Sequence, residues 1–310
     1  VVTPGIFSNI CDRTIEKYFS KENYYCIDGC PVYMIFDIDN FIRSFGTSDE
    51  CKKALAEFRR KTVEAGFKGL HFQVVHWRNR VFNWLNDEDS QKGVKSAQMY
   101  EYLGVDSVTS YNWGCSADLD GDFNEVTDNY VNEIKKEEEN LTVPFYPNIS
   151  VGWDNNVRFN KFIPGVIYNN TPENFKTACE KIKDFADESM KKGRMTAPFI
   201  TVNSWNEWTE GSYLQPDDLY GYGYLEAIRE VFAEKRSVYR GLIMRILKDI
   251  PYGNHERHTI DIFIPDEVQN DSGVIFYIHG GGWTSYDKSV HHSDCEYFCS
   301  LGYICATTNY

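Results

Sequence analysis

The chain has 310 residues, with 46 acidic against 32 basic side chains and a formal net charge of -14 at pH 7. That balance argues against nucleic acid or an anionic membrane as the main partner, since phosphate binding needs clustered Lys and Arg. Apolar residues at 42% and a mean hydropathy of -0.48 exclude a polytopic membrane protein. Aromatic residues reach 15%, with 7 Trp, 21 Tyr and 20 Phe. They fit either a large aromatic core or a sugar-binding cleft, where flat rings cover the apolar faces of pyranoses.

Residues 1–20 show no charged segment followed by an apolar one, so no signal peptide is visible. The longest apolar runs are strand-sized, too short for a transmembrane segment. Strands are expected at residues 31–36 (PVYMIF), 69–75 (GLHFQVV), 105–109 (VDSVT), 146–151 (YPNISV) and 198–203 (PFITVN). Between the first two, residues 47–67 open on Thr47 with Glu50 three positions on, a capping-box signature. A second helix starts at Thr171-Pro172-Glu173 and runs to about residue 192, and a third covers about 219–235. The segment 116–139, rich in Asp, Glu and Asn, reads as an exposed acidic loop or helix insertion. Alternating strands and helices imply β/α units around a parallel sheet.

The pattern changes after about residue 240, which divides the chain into domains 1–240 and 241–310. An edge strand at 257–264, a buried strand at 273–279, a helix at 291–301 and a strand at 303–308 are expected there. Nine cysteines without C-x-x-C pairs favour reduced thiols and a cytoplasmic location over a disulfide framework. Cys26/Cys30 and Cys295/Cys299 lack a second pair at zinc spacing, so neither a metal nor a cofactor is expected.

The densest chemistry lies at residues 203–216, NSWNEWTEGSYLQP. It directly follows a strand, and in a parallel α/β sheet ligands bind at the C-terminal strand edge. Glu207 and Glu210, flanked by Trp205, Trp208 and Asn206, suit a glycan, since carboxylates accept bonds from vicinal hydroxyls or serve as acid, base and nucleophile. Residues 147–159 repeat the design with Trp153, Asp154 and Arg158. So do Tyr111-Asn112-Trp113 and His76-Trp77, each after its own strand. The acidic run at Asp118, Asp120 and Asp122 is not an EF-hand, because its glycine is misplaced.

The segments PVYMIFDIDNFIRSFG, GWDNNVRF and NSWNEWTEGSYLQPD resemble the WbsX-type glycosyltransferases, relatives of glycoside hydrolase family 99. The resemblance covers about residues 10–235. It implies the C-terminal part of a (β/α)8 TIM-type barrel acting on a glycan substrate, with α-mannoside chemistry in the better-known relatives. By motif, Trp153, Asp154, Arg158, Asn206, Glu207, Trp208 and Glu210 would line the sugar site, with Tyr111 and His76 beside them. Where the relatives continue as L-E-P, Gln215 stands here. The resemblance also implies principal catalytic carboxylates upstream of the PVYMIF strand, and so a barrel missing its first strands. Glu207 and Glu210 then bind substrate or support the site, and serve only secondarily as catalytic candidates.

His279-Gly280-Gly281-Gly282-Trp283 resembles the oxyanion-hole loop of α/β-hydrolase esterases, with Gly281 and Gly282 offering backbone N–H groups. Residues 248–310 match the start of that fold, but no G-x-S-x-G nucleophile motif occurs in the chain. The expected function is glycosyl transfer or glycoside hydrolysis. A non-catalytic glycan-binding module is one alternative, and a carbohydrate esterase is another if the chain naturally continues past residue 310.

Overall fold

A computed structural model of the chain describes residues 2–83, 93–233, 244–266, 268, 273–278 and 287–310. It divides into two compact units, Val1–Ala233 and Glu234–Tyr310.

The first unit is built on parallel strands β1 (Cys30–Ile35), β2 (His71–Val75), β3 (Ser107–Thr109), β4 (Phe145–Tyr146), β5 (Asn148–Ser150) and β6 (Thr201–Asn203). β1 pairs with β2, β2 with β3, β3 with β4, and β5 with β6, all in parallel. β4 and β5 form one line interrupted at Pro147, which has no N–H to give to a ladder. The strands therefore lie side by side in chain order with no reversal. The sheet curls, because the Thr109 hydroxyl on β3 meets the Thr201 hydroxyl on β6 at 3.0 Å, across the intervening line.

Side-chain alternation gives this sheet two chemically different faces. Phe72, Val74, Val108, Phe145 and Ile149 turn into the main core. His71, Gln73, Ser107, Thr109 and Asn148 occupy the alternate positions, are also buried, and bond to one another or to Thr201. Around the apolar face lie helices α1 (Pro4–Thr14), α2 (Ile38–Phe45), α3 (Ser48–Glu64), α4 (Ser96–Leu103), α5 (Phe123–Asn140), α6 (Pro172–Lys191) and α7 (Gly223–Phe232). The caps read from sequence are present: Thr47 accepts from the Glu50 N–H at 3.1 Å and Thr171 from the Asn174 N–H at 3.3 Å. Helix α3 buries Cys51, Leu55 and Phe58, and each such large apolar side chain contributes about 1.5–3 kcal/mol.

Of the two readings of the acidic segment, exposed loop or helix insertion, the helix holds for most of it. That helix is α5, which buries Phe123, Val126, Thr127, Tyr130 and Ile134 along one stripe. The acidic residues form its outer face, which is why composition alone suggested solvent. Asp122 caps α5 at the Asn124 N–H, 2.9 Å away, Asp120 accepts from Gly165 and Val166 N–H, and Asp118 pairs with Arg78.

The second unit is a four-stranded sheet of β9 (Met244–Pro251), β10 (Thr259–Pro265), β11 (Val274–Ile278) and β12 (Ile304–Thr308), ordered β9-β10-β12-β11. β10 is antiparallel to β9 and β12, whereas β11 and β12 run parallel. Helix α8 (His292–Ser300) connects the parallel pair and buries Cys295 and Cys299 against Phe263 and Cys305. Two sequence expectations change. The 257–264 strand was read as an edge, yet β10 lies between two partners because residues 244–251 also form a strand. The 273–279 strand was read as buried, yet β11 is outermost in the described sheet and leaves Val274, Phe276 and Ile278 exposed.

All nine cysteines are unbridged. Burial pushes the Cys51 and Cys179 thiols up to about 12, which makes them poor nucleophiles. Among the described residues no helix is long and apolar enough to cross a membrane.

Candidate active site

Because the strands of the first unit are parallel, their C-terminal ends share one edge. Phe36 follows β1, Trp77 follows β2 by two residues, Tyr111 follows β3 by two, and Trp153-Asp154 lie beyond β5. β6 ends on Asn203 and leads into a hairpin of β7 (Asn206–Glu207) and β8 (Ser212–Tyr213). In it Asn206 opposes Tyr213 and Glu207 opposes Ser212.

Two glycines bring this hairpin against the segment after β5. Gly211 closes the turn at φ +60°, and a Cβ there would lie 3.1 Å from the Asp154 nitrogen. A Cβ on Gly152 would lie 2.7 Å from the Gly211 carbonyl oxygen. The approach is fixed by the Asp154 N–H donating to the Glu210 carbonyl at 2.7 Å. Asp154 Oδ1 in turn accepts from the backbone and side chain of Asn156, at 2.9 and 2.8 Å, shaping the turn that carries Arg158.

Arg158 then reaches across to the hairpin with three donors. Nε meets Thr209 Oγ1 at 2.8 Å, Nη1 meets Glu210 Oε1 at 2.8 Å and Nη2 meets Glu207 Oε2 at 3.1 Å. One guanidinium therefore holds both carboxylates, in the rigid fork geometry that a lysine cannot supply. The two acids differ in access. The Glu210 side chain is 9% exposed, and its second oxygen accepts from the Tyr111 hydroxyl at 2.9 Å. The Glu207 side chain is 42% exposed and has one oxygen bonded among the described residues. Partial burial, then the Glu210 acceptor and its charge, push the Tyr111 phenol up to about 12, so it stays a donor at neutral pH.

The aromatic rings sort into platform and core. Trp205 and Trp208 are exposed beside the carboxylates. Trp208 stacks on Tyr213 with ring centroids 3.7 Å apart and donates its indole N–H to Gln215 at 2.6 Å. Gln215 thus fixes the Trp208 ring while adding no charge. Trp153 is half-buried against the core. Trp113 is wholly buried, stacked on Tyr130 at 5.5 Å and bonded to the Asn148 carbonyl, so it is no sugar platform. His76 is also buried, between the Tyr100 hydroxyl at 3.0 Å and Glu137 at 3.1 Å. Those partners lie on α4 and α5, so no described contact joins His76 to the carboxylate cluster. Asn206 is exposed on the hairpin, and Gly281 and Gly282 lie outside the described residues.

Four participants were not singled out as site residues from sequence. Thr209 and Gln215 sit inside the recognised motif. Phe36 obeys the same strand-end rule as Tyr111. Buried Asn203, whose Oδ1 accepts from Ser212 at 2.8 Å, is the last residue of β6.

Paired carboxylates, one guanidinium and flat rings at the strand ends of a parallel α/β sheet define a domain of the carbohydrate-active class. The Glycosyltransferase WbsX family profile matches residues 9–228, more than two thirds of the chain, and the chain belongs to this family. The uncharacterized protein WxcX of Xanthomonas campestris pv. campestris is 30% identical over 97 residues, which are 30% of this chain and 13% of that relative. The chain thus spans only a small part of that relative's length. Among solved structures, a candidate thioesterase from Silicibacter shares 30% identity over 21% of this chain and 24% of its own, with a TM-score of 0.20. A GH99 endo-α-mannosidase from Bacteroides thetaiotaomicron shares 16% identity over 74% of this chain and 65% of its own, with a TM-score of 0.43. Neither superposition is close enough to define this fold or a substrate.

Proposed function

We propose that the first unit is the glycan-processing domain of a glycosyl-transferring or glycoside-hydrolysing enzyme, and that its strands belong to a (β/α)8-type barrel. Strand order without reversal supports the barrel, since a doubly wound sheet reverses order at its ligand crevice. The observation carrying the function is Arg158 clamping Glu207 and Glu210 at the strand ends, with Tyr111 closing the buried side. Glycosyl chemistry passes through an oxocarbenium-like transition state that carboxylates stabilise. Glu207, the open member, meets the sugar, and Trp205 and Trp208 offer it ring faces. Glu210 is a positioning residue whose two bonded oxygens hold Arg158 and Tyr111. Membership of a family described as glycosyltransferases supports transfer to a sugar hydroxyl over transfer to water.

The test is turnover of a panel of polysaccharides and nucleotide sugars by the complete protein and by Glu207→Gln. Loss of roughly 100-fold or more in turnover is expected, the usual size when one group that stabilises transition-state charge is removed. Wild-type turnover and affinity in both Glu207→Gln and Glu210→Gln would sink the assignment. Retained binding without turnover in the wild type would leave a glycan-binding module instead.

For the second unit we infer the opening of an α/β-hydrolase. Its third strand, β11, leads into the HGGGW segment and then a helix, the order in which such folds place their oxyanion loop. With no G-x-S-x-G in the chain, residues 234–310 alone are expected to show no serine-dependent hydrolysis of p-nitrophenyl esters.

A further inference from the structure

Phe36 is 54% exposed at the end of β1, an unusual place to leave a phenyl ring in water. It is not loose. Its ring stands perpendicular to Trp77, with centroids 6.3 Å apart, and perpendicular to Tyr111 at 5.3 Å. Two perpendicular ring contacts of this kind hold the Phe36 ring against its neighbours while about half of its surface stays open. Tyr111 also donates to Glu210, so the aromatic patch is continuous with the carboxylate cluster.

From these contacts we propose that Phe36 and Trp77 form a second sugar-binding subsite, taking a further ring of the same glycan whose reacting ring sits at Glu207. The proposal rests on the glycan reading given above and extends it, because it makes the ligand a chain of rings and not a single sugar. Strands lie ~4.8 Å apart, so the ends of β1 and β2 stand one to two strand spacings from Tyr111, a reach comparable to one or two sugar rings. The surroundings suit hydroxyls better than an acyl chain. Asp37 follows Phe36 directly, caps α2 at the Asn40 N–H and lies 3.5 Å from Arg80. A flat apolar face edged by ionic groups matches a pyranose, which is apolar on its faces and polar around its rim.

An immobilised polysaccharide panel first identifies a polymer that the complete wild-type chain retains. Its oligosaccharides of one to five rings are then titrated calorimetrically into wild type, Phe36→Ala, Trp77→Ala, Phe36→Tyr and Glu207→Gln. Both alanine variants are expected to bind ligands of three or more rings about tenfold more weakly, the size of one aromatic contact, and single rings as wild type does. Phe36→Tyr should retain wild-type affinity, and Glu207→Gln should weaken every length. Length-independent losses, or none, in the alanine variants would overturn the subsite while leaving the carboxylate site standing. A wild type that retains no polysaccharide would overturn both.

Discussion

Among the described residues, two clusters join one cation to two carboxylates distant from it in sequence, and they serve opposite ends. In the first unit Arg158 joins Glu207 and Glu210. In the second, Lys288 joins Asp249 and Asp261 at 2.6 and 2.5 Å, and His292 adds a bond to Asp261 at 2.8 Å. Lys288 is 6% exposed and Asp261 2%, while Arg158 is 41% exposed and Glu207 42%. Burial opposes the Asp261 charge, yet Lys288, the Asp249 N–H and His292 outweigh it and hold its carboxyl below the usual range. The Lys288–Asp261 pair is closed off, although the Asp249 side chain at its rim is 75% exposed, and the cluster holds β9, β10 and the turn before α8 together. The open cluster has a free carboxylate face and rings beside it. Equal charge patterns thus acquire different roles through access to solvent.

Replacing one partner in each cluster sharpens this contrast. The largest effect is expected from Lys288→Met, which strands Asp261 as a buried charge. Unfolding of the second unit should become easier by about 3–5 kcal/mol in denaturant titration, with Lys288→Met/Asp261→Asn recovering much of the loss. Equal stability of the single variant and wild type would mean that water reaches Asp261. Glu210→Gln keeps the shape but removes the charge facing Arg158 and Tyr111, and should cost the first unit about 2 kcal/mol. Tyr111→Phe removes one bond from a carboxylate that Arg158 still pairs, so a smaller loss of about 1 kcal/mol is expected by the same titration.

The pH responses should be smaller and of opposite sign. Raised to about 12, the Tyr111 phenol favours the folded state at every pH below its unfolded value near 10, a contribution lost as pH rises through 12. Asp287 in the second unit is lowered to about 2 by the Ser289 N–H and the Asn309 amide. Its contribution is present above the unfolded value near 3.9 and is lost as pH falls towards 2. Near-UV circular dichroism should therefore show an acid limb that Asp287→Ala flattens and an alkaline limb that Tyr111→Phe flattens.

How much could be read from sequence depended on whether a signal was local. The strands before Phe36, His76 and Ser110 were legible because β-branched and aromatic runs are local, as were the caps at Thr47 and Thr171. The same rule, one strand end after another, pointed to Glu207, Glu210, Arg158 and Tyr111, which the structure brings together. It also pointed to His76 and Trp113, which stand apart from that cluster, because the rule says where a residue stands along the strand and not which way its side chain turns. Both turn into the helix layer, His76 to Glu137 and Trp113 to Tyr130. The helix carrying those two partners was one of two readings of its segment, because its acidic outer face fits a solvated loop equally well.

The amino-acid sequence by itself determined the β/α alternation, the change of pattern near residue 240 and the motifs that mark a WbsX-family chain. These are encoded in neighbouring residues, through side-chain period, caps and turn chemistry. Only the tertiary structure decided which acid is open and which is buried, that one guanidinium serves both, and that Phe36 and Trp77 join Tyr111 at the same edge. Those facts arise where segments 50 to 100 residues apart meet through the curl of the sheet and the close approach allowed at Gly152 and Gly211.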